Sequence, residues 1–173
     1  GTGLVDLAIV HTAIYDAVNA IAGSSFEPYE VTLTVTVPAS PEAAAATAGH
    51  DTLVALFPAQ QADLDTKYAA SVALIPDGPA KTNGIAVGQQ TAAGILALRA
   101  DDGRNDVAAY TPGSGPGVWN PTPPAFLPAQ IPQLATVLPW TLDSPDQFRA
   151  PGPPKLTSNR WAREYNEVKS LGR

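Results

Sequence analysis

Cysteine is absent from the 173 residues, and so is methionine. Without cysteine there can be no disulfide and no thiolate metal site. With no initiating methionine before Gly1-Thr2-Gly3, the chain is expected to be a processed or partial product, in which a signal peptide would not be visible. Charge is also scarce. Only 15% of residues are charged, against a usual share of about 25%. A surface this poor in charge is expected to be covered in part by something else. The ten basic residues, a net charge of −6 and a pI near 4.7 leave no basic face for a nucleic acid. No apolar run is expected to serve as a membrane span, which needs about 20 residues. No stretch repeats another. The apolar share of 45% and the length fit one domain with a real core.

Proline, by contrast, is abundant and clustered. Twelve of the 18 prolines lie between Tyr110 and Pro154. Each lacks a backbone donor and disfavours helix in the residue before it, so no long helix crosses this run. Yet Trp119, Phe126, Leu127, Ile131, Trp140, Leu142 and Phe148 punctuate it, whereas a solvated linker is polar and poor in aromatics. The run therefore reads as a long ordered strap anchored on the preceding helices by its aromatics.

The remaining periodicities are helical. Residues 3–22 place Leu4, Leu7, His11, Ile14, Val18 and Ile21 on one face, with Asp6, Thr12, Asp16 and Asn19 largely on the other and Gly23 as the stop. In residues 31–37 valine and leucine alternate with threonine, which predicts an extended segment or one short β assignment. Ser40-Pro41-Glu42 opens a second helix that runs to Phe57. A third covers 59–75, with Leu64, Tyr68, Val72 and Ile75 on its buried face. A fourth covers 79–100. Its stripe of Ala80, Gly84, Gly88, Ala92 and Ile95 keeps two glycines four apart, at a cost of about 1 kcal/mol each against alanine. That pattern implies a second helix lying very close. Thr157 or Ser158 caps a last helix over 159–171. The expected fold is all-α: a bundle of about five helices in one domain, with 1–102 as the helical block, 103–156 as the strap and 157–173 as the terminal helix.

Two stretches carry a resemblance. One is HTAIYDAVNAI with SPEAAAATAGHDTLVALFP and IPDGPAKTNGIAVGQQTAAGILALRADDG. The other is GPGVWNPTPPAFLPAQIPQLATVLPWTLDSPDQFRAPGPPKLTSNRWAREYNEVKSLG. Together they resemble the N-terminal half of bacterial proteins of the vanadium-dependent haloperoxidase type, in the type 2 phosphatidic-acid phosphatase superfamily. The resemblance implies a helical-bundle fold and an oxyanion, vanadate or phosphate, held in the C-terminal half by three motifs. These are lysine followed by Arg-Pro, then Pro-Ser-Gly-His, then a later arginine with histidine. None of them occurs here. Lys67, Lys81, Lys155 and Lys169 lack the Arg-Pro partner, and Pro112-Gly113-Ser114-Gly115 is not the second motif. No catalytic, cofactor-binding or metal-binding residue is carried over. The resemblance implies that the chain's partner is the catalytic half of the same protein. It also implies that vanadate, or phosphate as a substrate group, belongs to the complete protein; proteins of this type are often exported, a trait that no residue of this chain shows.

The candidate polar residues read as scaffold. His11 is expected to be a satisfied core histidine. Asp16 and Asn19 are expected to hold the start of the following loop, since buried polar groups need partners, with lining of a cleft as the alternative. His50 and Asp51, adjacent on a helix, are expected to diverge as an exposed or capping pair. Asp63 with Asp65, Asp101 with Asp102, and Glu164 with Glu167 are expected to sit on solvated faces or helix ends. Gly113-Ser114-Gly115-Pro116-Gly117 lacks the lysine and helix of a phosphate loop and reads as a turn. The candidates for lining a substrate cleft are Trp119, Phe126, Trp140 and Phe148. Two functions fit. The first is the non-catalytic scaffold and cleft wall of a haloperoxidase-like or acid-phosphatase-like enzyme. The second is a stand-alone helical binding or structural module.

Overall fold

The computed structural model of the chain describes residues 3–172 and is all-helical. Five α-helices follow one another: α1 (Gly3–Ile21), α2 (Pro41–Leu56), α3 (Gln61–Ala73), α4 (Pro79–Leu98) and α5 (Asn159–Leu171). Short 3₁₀ turns occupy Pro58–Gln60 and Pro132–Ala135, and among the described residues there is no strand. The chain divides into two compact units, residues 1–138 and 139–173. That boundary falls inside the Pro-rich run.

In the first unit α1, α2 and α4 pack against one another, and α3 packs on α2 and on the turn before it. Ser40 starts α2 as expected. Its hydroxyl oxygen accepts from the Ala43 amide at 3.1 Å, and Pro41 takes the first helical position. The Ser40 amide also donates to the Ala80 carbonyl at 2.8 Å, which fixes the start of α4 beside the start of α2. The glycine stripe of α4 then follows the seam. A Cβ on Gly88 would stand 2.5 Å from the Ala44 carbonyl oxygen and 2.9 Å from the Ala48 nitrogen, and one on Gly84 would overlap the Ser40 carbonyl. Glycine is required here because the opposing atoms are backbone. The core around the seam is made mainly of alanine: Ala13, Ala17, Ala20, Ala43, Ala44, Ala48 and Ala92, joined by Ile9, Val10, Val87 and Ile95.

α1 reverses the expected polarity. Its buried face is Ile9, Val10, Ala13, Asp16, Ala17, Asn19 and Ala20, whereas Leu4, Leu7, His11 and Tyr15 are exposed. His11 is therefore not a core histidine. The periodicity of large side chains selected a face that is at best half-buried, at Ile14, Val18 and Ile21, because much of the inner face is alanine packed on a small-residue seam. α1 has 19 residues, and an 18-residue window of it reaches a mean hydropathy of 1.4, so by length and composition alone it is apolar enough to cross a membrane. The expectation that no run would qualify is corrected to that extent. Gly23 ends α1 with φ +78°, and the Ser24 amide closes the turn on the Asn19 carbonyl at 2.8 Å.

Residues 31–37 are extended and unpaired. Val31, Leu33 and Val35 are half-buried while the intervening threonines are exposed, so the period of two survives without a sheet. In α3, Leu64, Tyr68 and Val72 are the half-buried face, as expected. Beyond α4 the run from Asn105 to Asn120 is exposed throughout. The aromatics do not hold it down. Trp119 keeps 44% of its surface and meets Tyr110 edge-on at 5.4 Å within the run itself, and Phe126 is exposed.

In the second unit Ser158 caps α5 by accepting from the Trp161 amide at 3.1 Å. Trp161 stacks on Tyr165 with ring centroids 5.1 Å apart, one helical turn on. Tyr165, Val168 and Leu171 stay exposed. The charge is uneven between the units. Residues 1–138 carry four basic and twelve acidic side chains, a net of −8. Residues 139–173 carry six basic and four acidic, a net of +2.

Candidate functional site

The most developed polar constellation lies where α4 ends. Arg99, the residue after α4, is fully buried. Its Nε and one terminal nitrogen each lie 3.0 Å from the same oxygen of Asp102. The same terminal nitrogen also donates to the Leu138 carbonyl at 2.9 Å. Asp102, only 3% exposed, spans two cations, because its other oxygen lies 2.9 Å from Arg104 and also accepts the Arg104 amide at 3.0 Å. Arg104 donates to the Arg99 carbonyl at 2.6 Å and reaches Asp6 of α1 at 3.4 Å. The backbone completes the knot: the Leu138 amide donates to the Asp102 carbonyl at 2.8 Å. Charge and backbone thus hold the strap at Leu138 to the end of α4. Asp102 was expected at a solvated helix end. It is buried instead, because two arginines within five residues supply the opposite charge that burial of a carboxylate demands. The sequence signal that could have found the knot is the spacing Arg99-x-x-Asp102-x-Arg104 around Gly103. Gly103 has φ +84°, a turn that brings both arginines to one carboxylate.

Asp16 extends the network from the middle of α1. It is fully buried, and its two oxygens accept the amides of Tyr29 (2.7 Å), Glu30 (3.0 Å) and Val31 (2.9 Å). Asn19 brackets Phe26 by donating to its carbonyl at 2.8 Å and accepting its amide at 3.0 Å. Both residues hold the following loop, as their polarity and position predicted. The Tyr29 hydroxyl in turn bonds Arg99. Burial pushes the phenol above its ordinary pKa of 10.0, and the guanidinium works in the opposite direction.

A second constellation joins α2 to α3. His50 Nδ1 is 2.8 Å from an Asp51 carboxylate oxygen, and Nε2 is 2.8 Å from an Asp65 oxygen. The ring stacks on Tyr68 at 4.3 Å, and the Tyr68 hydroxyl shares a 2.9 Å hydrogen bond with the buried Thr47. The expected divergence of His50 and Asp51 is corrected: the aspartate folds back along α2 to meet the near ring nitrogen. Asp65 is likewise a histidine partner, and Asp63 pairs with Lys67. A groove of about 240 Å³ runs beside the ring, lined by Gly49, Leu53, Leu64, Lys67 and Tyr68 among others. Burial works against a charge on the ring, but the hydrogen bonds that the ring donates to Asp51 and Asp65, and their negative charges, outweigh it. The imidazole is held above its usual value of 6.5.

Trp119 and Phe126 belong to the first unit, Trp140 and Phe148 to the second, and Phe148 is 79% exposed. Glu164 pairs with Arg160 at 2.7 Å on the surface of α5, a solvated face as expected. Among the described residues no cluster of three or more histidines and carboxylates converges as a metal site. The two nitrogens of His50 point to opposite carboxylates, so the ring has no lone pair free for a metal. Each lysine and arginine of residues 3–138 is met by a carboxylate: Lys67 by Asp63, Lys81 by Asp77, Arg99 by Asp102, and Arg104 by Asp102 and Asp6. Chemically the arrangement locks loops in place. Positive charge directed at an oxyanion would require one of these pairs to open. Compared with family models, with curated proteins and with solved structures, the chain matches none.

Proposed function

We propose that the chain is the non-catalytic helical scaffold and cleft wall of a vanadium haloperoxidase-like or acid-phosphatase-like enzyme, whose oxyanion site is built by a further, C-terminal portion. The observation that carries this reading is the apolar outer face of α1. Leu4 is 82% exposed, Leu7 and Tyr15 are exposed beside it, and Phe26, 70% exposed, borders a groove of about 340 Å³ with Ile14, Val18 and Ala22. Folded monomers rarely leave contiguous apolar patches of this kind open, and large ones mark surfaces that another body covers. The resemblance of the whole chain to the front half of such enzymes supplies the identity of that body. The matched charges of the first unit agree with a supporting role, since oxyanion catalysis needs fixed positive groups aimed at the anion.

Two experiments test the proposal. The coding sequence downstream of Arg173 is expected to contain lysine followed by Arg-Pro, then Pro-Ser-Gly-His, then arginine with histidine. A stop codon directly after Arg173 would instead leave a stand-alone helical module. Isothermal calorimetry with vanadate and with inorganic phosphate is expected to show no heat of binding to residues 1–173, and no bromination of a phenol-type dye in peroxide and bromide. Saturable vanadate binding by this chain would sink the assignment.

A further inference from the structure

We infer that His50 is a proton-gated clasp that keeps α3 seated on α2 and lets it go when the ring loses its proton. The geometry carries the argument. A neutral imidazole has one N–H and one lone pair. Here both ring nitrogens face carboxylate oxygens at 2.8 Å, Asp51 on one side and Asp65 on the other. Only the doubly protonated ring can donate to both. Removing the proton leaves a nitrogen lone pair against a carboxylate oxygen, with two negative charges flanking an uncharged ring. Asp51 belongs to α2, the helix that carries His50, so the contact that ties two helices together is the one to Asp65 of α3, and in either neutral tautomer it loses the charge that draws that carboxylate to the ring.

The position of α3 makes that contact decisive. It packs on α2 and on the 3₁₀ turn before it, and none of its residues is fully buried. Its hold on α2 runs through the half-buried Leu64, Tyr68 and Val72, the Tyr68–Thr47 hydrogen bond and the His50–Asp65 pair. Other charged groups do not offset the change. From α3, Asp65 and Tyr68 face the ring, and Lys67, engaged by Asp63, lines the adjoining groove. From α2 only Asp51 faces it. α1 meets this turn of α2 through Ile14 against Gly49, and its acids are engaged by Arg104 (Asp6) and by loop amides (Asp16). α4 faces α2 with glycines, and Lys81 and Arg99 are paired with Asp77 and Asp102. The 3₁₀ turn Pro58–Gln60 carries no ionisable side chain.

The direction follows. The folded state favours the protonated ring, so its contribution is complete below the ordinary histidine value of 6.5 and is lost as pH rises through the higher folded value. Local opening of a weakly held helix is a recognised low-energy excursion. The test is hydrogen exchange of the 173-residue chain between pH 5.5 and 9, corrected for intrinsic exchange, with His50 followed in parallel by ring NMR. Protection in residues 61–73 is expected to fall with the His50 titration, whose midpoint lies above 6.5, while protection in α1, α2 and α4 holds. In His50→Gln, which cannot be charged, the pH dependence of α3 is expected to vanish. In Asp65→Asn the His50 midpoint is expected to drop. A His50 midpoint at or below 6.5 in the wild-type chain would overturn the inference. So would α3 protection that is flat with pH, or an unchanged pH profile in His50→Gln. The ring titration keeps the idea open to refutation even if a variant folds poorly.

Discussion

A buried carboxylate is stable only where the fold supplies donors, and two aspartates here obtain them in different ways. Asp16 receives three loop amides, and Asp102 receives two guanidinium groups. Their substitutions should therefore fail differently. Asp16→Ala leaves amides of Tyr29, Glu30 and Val31 without acceptors and is expected to cost about 1–3 kcal/mol, with fast exchange confined to those three amides. Asp16→Asn offers one acceptor oxygen in place of two and is expected to restore only part of that protection. Asp102→Asn removes the carboxylate charge that the buried Arg99 and Arg104 share, and is expected to cost about 3–5 kcal/mol, read as a lower urea midpoint with an unchanged slope. Much of the first case was legible in sequence, since two polar residues on a helix that must pack somewhere are natural loop holders. The second was not. Asp101-Asp102 looks like an ordinary helix end, and only the left-handed turn at Gly103 shows that Arg104 comes back to the same carboxylate.

At the level of elements, the α2–α4 seam was written plainly in the spacing of Gly84 and Gly88, and the buried edge of α3 in Leu64, Tyr68 and Val72. The face of α1 was not, because the usual rule that large apolar side chains point inwards fails against a partner built of alanine and glycine. Two glycine substitutions separate close backbone approach from simple crowding. Gly88→Ala places its methyl against the Ala44 carbonyl and the Ala48 nitrogen, atoms of a helix that cannot yield alone. It is expected to lose about 1–3 kcal/mol in chemical denaturation despite the better helix propensity of alanine. Gly94→Ala meets only the side chain of Val31, on the extended segment, which can move aside. Its cost is expected to be offset by the gain of about 1 kcal/mol in propensity.

For the whole molecule, the exposed face of α1 makes a prediction of its own. A folded chain with Leu4, Leu7 and Phe26 open to solvent is expected to enhance the fluorescence of an apolar-binding dye such as ANS under native conditions. Leu7→Lys combined with Phe26→Ser is expected to reduce that signal with little change in melting temperature, because both side chains are more than half exposed. Equal dye fluorescence in the variant would place the apolar surface elsewhere. The core carries a last consequence, a calorimetric one. Seven alanines and a pair of glycines bring helix backbones together while withdrawing little hydrocarbon from water. Hydration of newly exposed hydrocarbon is what raises the heat capacity on unfolding, typically by about 12–15 cal/mol/K per residue. The increment for this chain should fall below that range. Its stability curve should then be shallow, with heat unfolding spread over a wide interval and cold unfolding pushed far below freezing.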